Sequence, residues 1–233
     1  MFLYLFLNIA SFFIPFSYSF EKRMNFIKHW RPVFISIFLV AVLFIIWDII
    51  FTKNGVWGFN PDYHMNLLIF GLPLEEILFF ICIPYASIFT HYAFIFFLKK
   101  VSLSKKTVNI ISVILFFSIG LVGISAYPKS YTTVNFLLFL VLIAVSFMLK
   151  ENHLSYFYIT FLIILVPFFL VNGILTGSYI EGEVVWYNNN ENLGVRIGSI
   201  PVEDVIYAFN LLYINLILIE RLKLVFRNKQ TAI

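Results

Sequence analysis

Seven apolar runs, at about 2–19, 33–51, 74–98, 107–126, 134–149, 155–174 and 202–220, occupy most of this 233-residue chain. Runs of that length match the roughly 20 residues a helix needs to cross about 30 Å of hydrocarbon. Lipid leaves helices and closed barrels as the only spanning structures, because every backbone polar group must be satisfied within the protein. The composition agrees: 61% of residues are hydrophobic, with 30 Phe and 13 Tyr, and the mean hydropathy is +0.94. A soluble interior of this size has no room for so much apolar surface. The expected class is an all-α polytopic membrane protein with seven transmembrane helices. The fifth run is short, and Pro84 and Pro167 fall inside the third and sixth runs, where each should kink its helix. Glu21, Lys22 and Arg23 follow the first run and no basic segment precedes it, which favours a retained helix over a cleaved signal.

Charge then orients the chain. Of its 16 basic residues, Lys22, Arg23, Lys28, Arg31, Lys99, Lys100, Lys105, Lys106, Lys150 and the C-terminal Arg221, Lys223, Arg227 and Lys229 fall on one side of the membrane. Only Lys53, Lys129 and Arg196 fall on the other. The positive-inside rule places the N-terminus outside and the C-terminus in the cytoplasm, in a multi-pass protein of the inner (cytoplasmic) membrane. Because the basic residues cluster between apolar runs, the pI of about 9.1 reflects membrane loops, and no nucleic-acid partner is expected. The single cysteine, Cys82, rules out a disulfide framework and a cysteine-based metal site.

Within this apolar chain one polar motif occurs twice. Pro73-Leu74-Glu75-Glu76 opens the third run and Pro201-Val202-Glu203-Asp204 opens the seventh. A long outer loop precedes each copy, residues 52–73 and 175–201. Thr52, Gly55, Trp57 and Asn60 in the first are echoed at looser spacing by Thr176, Gly177, Trp186 and Asn188 in the second, and Asp48 has a counterpart in Asn172. A duplication explains the pattern: residues 1–98 form a first repeat, 99–130 a linking fourth helix and 131–233 a second repeat. An offset of four spans makes the repeats parallel, related by a pseudo-two-fold axis along the membrane normal. The two motifs then face one another across a shared cleft.

Proline and acids suit the first turn of any helix, so one such motif signifies little. Two copies at membrane boundaries are different, since ionisable groups there are costly and default to function. Counting back from the cytoplasmic ends puts the acids at or just beneath the outer interface. Two acids sharing an apolar cleft hold a proton between them, as general acid–base catalysis near neutral pH requires. Glu75 and Glu203, the same residue type in both copies, are expected to be indispensable, so that Gln at either abolishes turnover. Aromatic faces stabilise cations where water is excluded, which brings in Trp57, Trp186, Phe79, Phe80 and Tyr207. His64, beside the first motif, is a candidate for proton supply. No dinucleotide fingerprint, phosphate loop or paired-histidine motif is present, so no cofactor and no metal is expected.

The run Phe59-Asn60-Pro61-Asp62-Tyr63, followed by Leu72-Pro73-Leu74-Glu75-Glu76-Ile77-Leu78-Phe79-Phe80, resembles the small membrane lycopene cyclases of the heterodimeric and fused type. In that family two related subunits, or two fused halves, each carry such a motif. Ile200-Pro201-Val202-Glu203-Asp204-Val205-Ile206-Tyr207 is similar to the motif of the other half. The resemblance implies an isomerase of the intramolecular lyase type that closes the ends of lycopene into β-ionone rings, giving γ- and then β-carotene. It implies catalytic roles for Glu75, Glu76, Glu203 and Asp204, and substrate contact for Trp57, Asn60, Phe79, Phe80, Trp186 and Tyr207. The partners it implies are lycopene within the bilayer and membrane lipid. Another membrane terpenoid cyclase or prenyl-lipid enzyme would use the same acids. An ion-coupled transporter fits less well, because the acids lie at one interface and no polar pathway crosses the apolar helices.

Overall fold

A computed structural model of the chain describes residues 2–149 and 153–230; Lys150, counted above in the charge census, lies outside them. Among the described residues there are seven α-helices: α1 (Leu3–Tyr18), α2 (Trp30–Lys53), α3 (Leu74–Phe97), α4 (Lys105–Ser125), α5 (Ser130–Leu149), α6 (His153–Leu175) and α7 (Val202–Gln230). Six are long and apolar enough to cross a membrane, and α1, at 16 residues, falls short of that length. At 1.5 Å per residue it covers about 24 Å, and it packs along α3. The fifth run departs from expectation in the other direction. Ser130, Tyr131, Thr132 and Thr133, too polar to count as part of an apolar run, complete a 20-residue helix. Helices α3 and α6 continue through Pro84 and Pro167 without interruption. Helix α4 starts where the Ser104 hydroxyl accepts the Thr107 N–H at 3.1 Å, an ordinary N-cap, and packs on the outside of the bundle against α5 and α6.

The two long loops are not irregular. They form six short strands at one end of the bundle: β1 (Trp57–Phe59), β2 (Leu68–Ile69), β3 (Leu72–Pro73), β4 (Val185–Tyr187), β5 (Arg196–Ile197) and β6 (Ile200–Pro201). Hairpin β2–β3 leads directly into α3, and β5–β6 leads directly into α7. The β2–β3 turn, Phe70-Gly71, has positive φ at both residues (55° and 91°), as a tight two-residue hairpin demands. Strands β1 and β4 pair antiparallel with Gly58 opposite Trp186, so the two loops are stitched to each other.

Lipid tails are as apolar as the helices, so polar pairs and close packing fix the helix contacts. Buried Ser36 on α2 donates to Asn215 Oδ1 on α7 at 2.9 Å, and His91 on α3 meets Thr160 on α6 at 2.7 Å. One pairing occurs twice: Ser19 with Tyr85 and Ser146 with Tyr213, both at 2.6 Å, each serine also donating to the carbonyl four residues before it. Such bonds contribute about 0.6 kcal/mol each on average in membrane helices. Around them aromatic rings supply the packing, as where Phe209 meets Phe139 and Phe157 with centroids 5.0 Å apart.

Candidate active site

Adjacent residues in a helix point about 100° apart, and the first turns of α3 and α7 divide their acids in the same way. Glu76 and Asp204 line a cavity of about 1300 Å³, counting its open mouth, while Glu75 and Glu203 do not. The latter two brace the loops. Glu75 Oε1 accepts the Met65 N–H at 2.8 Å, and Glu203 Oε1 accepts the Leu193 N–H at 2.7 Å and the Thr132 hydroxyl at 2.6 Å. Their main-chain carbonyls each receive an asparagine side chain at 2.8 Å, from Asn8 on α1 and from Asn135 on α5. All four acids are buried, from 0% exposure at Glu75 and Glu203 to 8% at Glu76. The position at the outer interface expected from sequence therefore does not put them in water, because the strand-bearing loops cover them.

The two cavity acids have different surroundings. Asp204 Oδ1 accepts the Tyr131 hydroxyl at 2.6 Å, and its Oδ2 accepts the Tyr187 hydroxyl at 3.0 Å and Asn172 Nδ2 at 3.3 Å. Burial and the neighbouring Asp204 carboxyl push the Tyr187 hydroxyl far above its ordinary range, so it remains a donor. Glu76 accepts the Tyr4 hydroxyl. Asp48, near the end of α2, also lines the cavity. Its Oδ1 accepts the Trp57 indole N–H at 2.5 Å and the Thr52 hydroxyl at 3.2 Å. Its buried Oδ2 has no hydrogen-bond partner among the described residues. The lining thus contains three carboxyl groups and no basic side chain among the described residues. Leaving buried carboxylates without a compensating partner costs several kcal/mol per ion, an outlay characteristic of functional sites.

Aromatic rings enclose this end of the cavity. Trp57 lies edge-on to Tyr131 with centroids 5.1 Å apart, and Tyr131 stacks on Tyr187 at 6.0 Å. Phe79 and Tyr207 belong to the same wall. Three of the residues expected at the substrate lie elsewhere. Phe80 turns into the helix core against Phe44 (6.3 Å). The Asn60 side chain closes its own loop, accepting the Asp62 N–H at 3.0 Å. Trp186 is 38% exposed and covers Gly58, where a Cβ would come within 2.4 Å of the indole. Its strand register matches it to Gly58 rather than to Trp57. His64 is buried and its Nδ1 accepts the Asn66 N–H at 3.0 Å; it caps a turn and does not line the cavity.

Tyr4, Tyr131 and Tyr187 did not stand out among 13 tyrosines, and Asn172 was marked only as the counterpart of Asp48. The pattern that marks two of them is the spacing Tyr-x-x-x-Asn, present in α1 as Tyr4 and Asn8 and in α5 as Tyr131 and Asn135. At that spacing a helix presents both side chains on one face. Here the tyrosine reaches the cavity acid and the asparagine holds the carbonyl of the bracing acid.

A family model described as lycopene cyclase matches residues 1–95 and 128–222. These two stretches are of equal length, and each contains one Pro-x-Glu-acid motif. No curated protein matches the chain, and no solved structure does. The matched stretches cover well over half of the sequence, and the chain belongs to the lycopene cyclase family.

Proposed function

We propose that this protein is a lycopene β-cyclase, an isomerase that closes each end of lycopene into a β-ionone ring within the inner (cytoplasmic) membrane. The observation that carries the proposal is the apolar cavity with Glu76 and Asp204 in its lining and aromatic faces around them. In the proposed reaction a carboxylic acid protonates the terminal double bond, a carbon–carbon bond closes the ring through a carbocation, and a carboxylate removes a proton. Atoms and electrons balance without an oxidant or reductant. Asp204 receives three donors, a set that suits an ionised acceptor, so it takes the proton from the ring. Glu76 and Asp48 line the same cavity, with no basic side chain among its described lining residues, and Glu76 supplies the proton. Glu75 and Glu203 act through the loops they hold. The faces of Tyr207 and Trp57 stabilise the cation in a site that excludes water.

The architectural reading accompanies this proposal: residues 1–98 and 131–233 are two parallel repeats joined by the linking segment 99–130. The recurring Ser–Tyr pair, the recurring asparagine-to-carbonyl bond and the strand pairing centred on Gly58 and Trp186 support it. The hairpin end of the bundle carries Lys53, Lys129 and Arg196, which supports an orientation with that end and the N-terminus outside.

Expression in a lycopene-accumulating bacterial host, followed by chromatography of the pigments, tests the function. Conversion of lycopene to isomers of unchanged mass with β-ionone ends is expected. Lycopene that persists despite full membrane expression would refute cyclisation, and ε-rings would refute the β assignment alone.

A further inference from the structure

We propose that the hydrocarbon substrate reaches the acids sideways from the bilayer, end first, through one portal between α1 and α6, and that the corresponding groove between α2 and α5 is plugged. The proposal rests on the cyclase reading and adds the route. From Glu76 the cavity follows α3 down to Thr90, a distance of about 21 Å at 1.5 Å per residue. Away from the acids its walls are largely apolar, with Pro15 on α1, Ile83 on α3, and Ile164 and Pro167 on α6. Pro167 is also exposed, at the middle of a spanning helix. A residue that lines the cavity and faces the surface at that depth marks an opening toward lipid.

The recurring contacts identify the matching place on the other side. Tyr4 and Asn8 of α1 correspond in their hydrogen bonds to Tyr131 and Asn135 of α5. Asp48 and Thr52 of α2 hold the places of Asn172 and Thr176 of α6, each threonine bonding back to the residue four before it. Counting along the helices from these anchors, Ser11 corresponds to Leu138, Pro167 to Leu43 and Val171 to Trp47. Leu43, Trp47 and Leu138 line a second, shallow groove between α2 and α5 that reaches none of the acids. The Trp47 ring packs on Phe44 (5.5 Å), Phe51 (5.6 Å) and Tyr207 (5.0 Å), and Tyr207 is on the cavity wall. Trp47 therefore stands where the second groove would break through. Serine and valine leave the first side open, while leucine and tryptophan fill the second.

The test exchanges these residues. Ser11→Leu with Val171→Trp moves the plug to the α1–α6 side, and Trp47→Val with Leu138→Ser removes it from the α2–α5 side. Each variant is assayed for lycopene turnover per amount of membrane protein. Separately, in a Glu76→Gln background, lycopene retained on the purified protein is read from its visible absorption. Since overpacking an apolar slot is strongly unfavourable, the plugged variant should lose both turnover and bound pigment by about tenfold or more. Adding Trp47→Val and Leu138→Ser to it should restore both. Wild-type pigment binding in the plugged variant, or no recovery on opening the second groove in a folded protein, would overturn the proposal. Where Val171→Trp prevents accumulation in the membrane, Ser11→Leu alone decides: reduced binding supports the portal and unchanged binding contradicts it. A wild-type protein that binds lycopene through this portal without converting it would defeat the cyclase reading and leave the route standing.

Discussion

Tyr131, Tyr187 and Asn172 all donate to Asp204, whereas Glu76 meets one tyrosine and shares its cavity wall with a second acid, Asp48. If that difference divides the proton chemistry, its parts are separable. Tyr131→Phe removes one hydrogen bond to a charged group and should lower turnover about tenfold or more, read as product formed per amount of membrane protein. Asp48→Asn gives the first motif the Asn–acid combination of the second. Turnover should again fall by about tenfold or more if Asp48 shares the proton with Glu76, and an unchanged rate would remove Asp48 from the chemistry. Sequence marked all four acids as catalytic, and expected Gln at Glu75 or Glu203 to abolish turnover, without distinguishing the pair that lines the cavity, Glu76 and Asp204. Which of two adjacent helical residues faces inward depends on the helix's neighbours, and those come from loops whose strands no periodicity announced.

At the scale of elements, the loop pairing is the least legible part and the most consequential. Strands of two or three residues, such as Trp57–Phe59 and Val185–Tyr187, are too short to carry an alternating pattern, so residues 52–73 and 175–201 read simply as long loops. The tryptophan echo also misled, since Trp186 pairs across Gly58 and covers it from outside. Glycine is required there by close approach. Gly58→Val should force the indole off the β1–β4 pair and destabilise the protein by about 1–3 kcal/mol, seen as a lower thermal midpoint in detergent. Wild-type melting would show that this pairing contributes little. The helices were legible, because an apolar run of about 20 residues has few alternatives. The errors lay at their ends, where α5 extends into polar residues whose hydroxyls Tyr131 and Thr132 turn toward Asp204 and Glu203.

At the scale of the whole molecule, the two proposed repeats are similar but not equal. Each proposed repeat supplies a cavity acid, a tyrosine and a bracing glutamate, but Asp48 holds the position that Asn172 has in the other repeat, and Trp47 that of Val171. An arrangement with one open side and two different acids would handle one end of a long hydrocarbon at a time, and a monocyclic product should appear before the bicyclic one in an early time course. The claim on which the rest depends is that Glu76 and Asp204 move the protons while Glu75 and Glu203 hold the backbone. It is tested most directly by the lycopene turnover, per amount of folded membrane protein, of Glu76→Gln, Asp204→Asn, Glu75→Gln and Glu203→Gln. Loss of a general acid or base predicts a fall of about 10²–10⁴-fold in the first two, with the second two within about tenfold of wild type and less stable to heat. Loss confined to Glu75→Gln and Glu203→Gln, with Glu76→Gln and Asp204→Asn active, would contradict it.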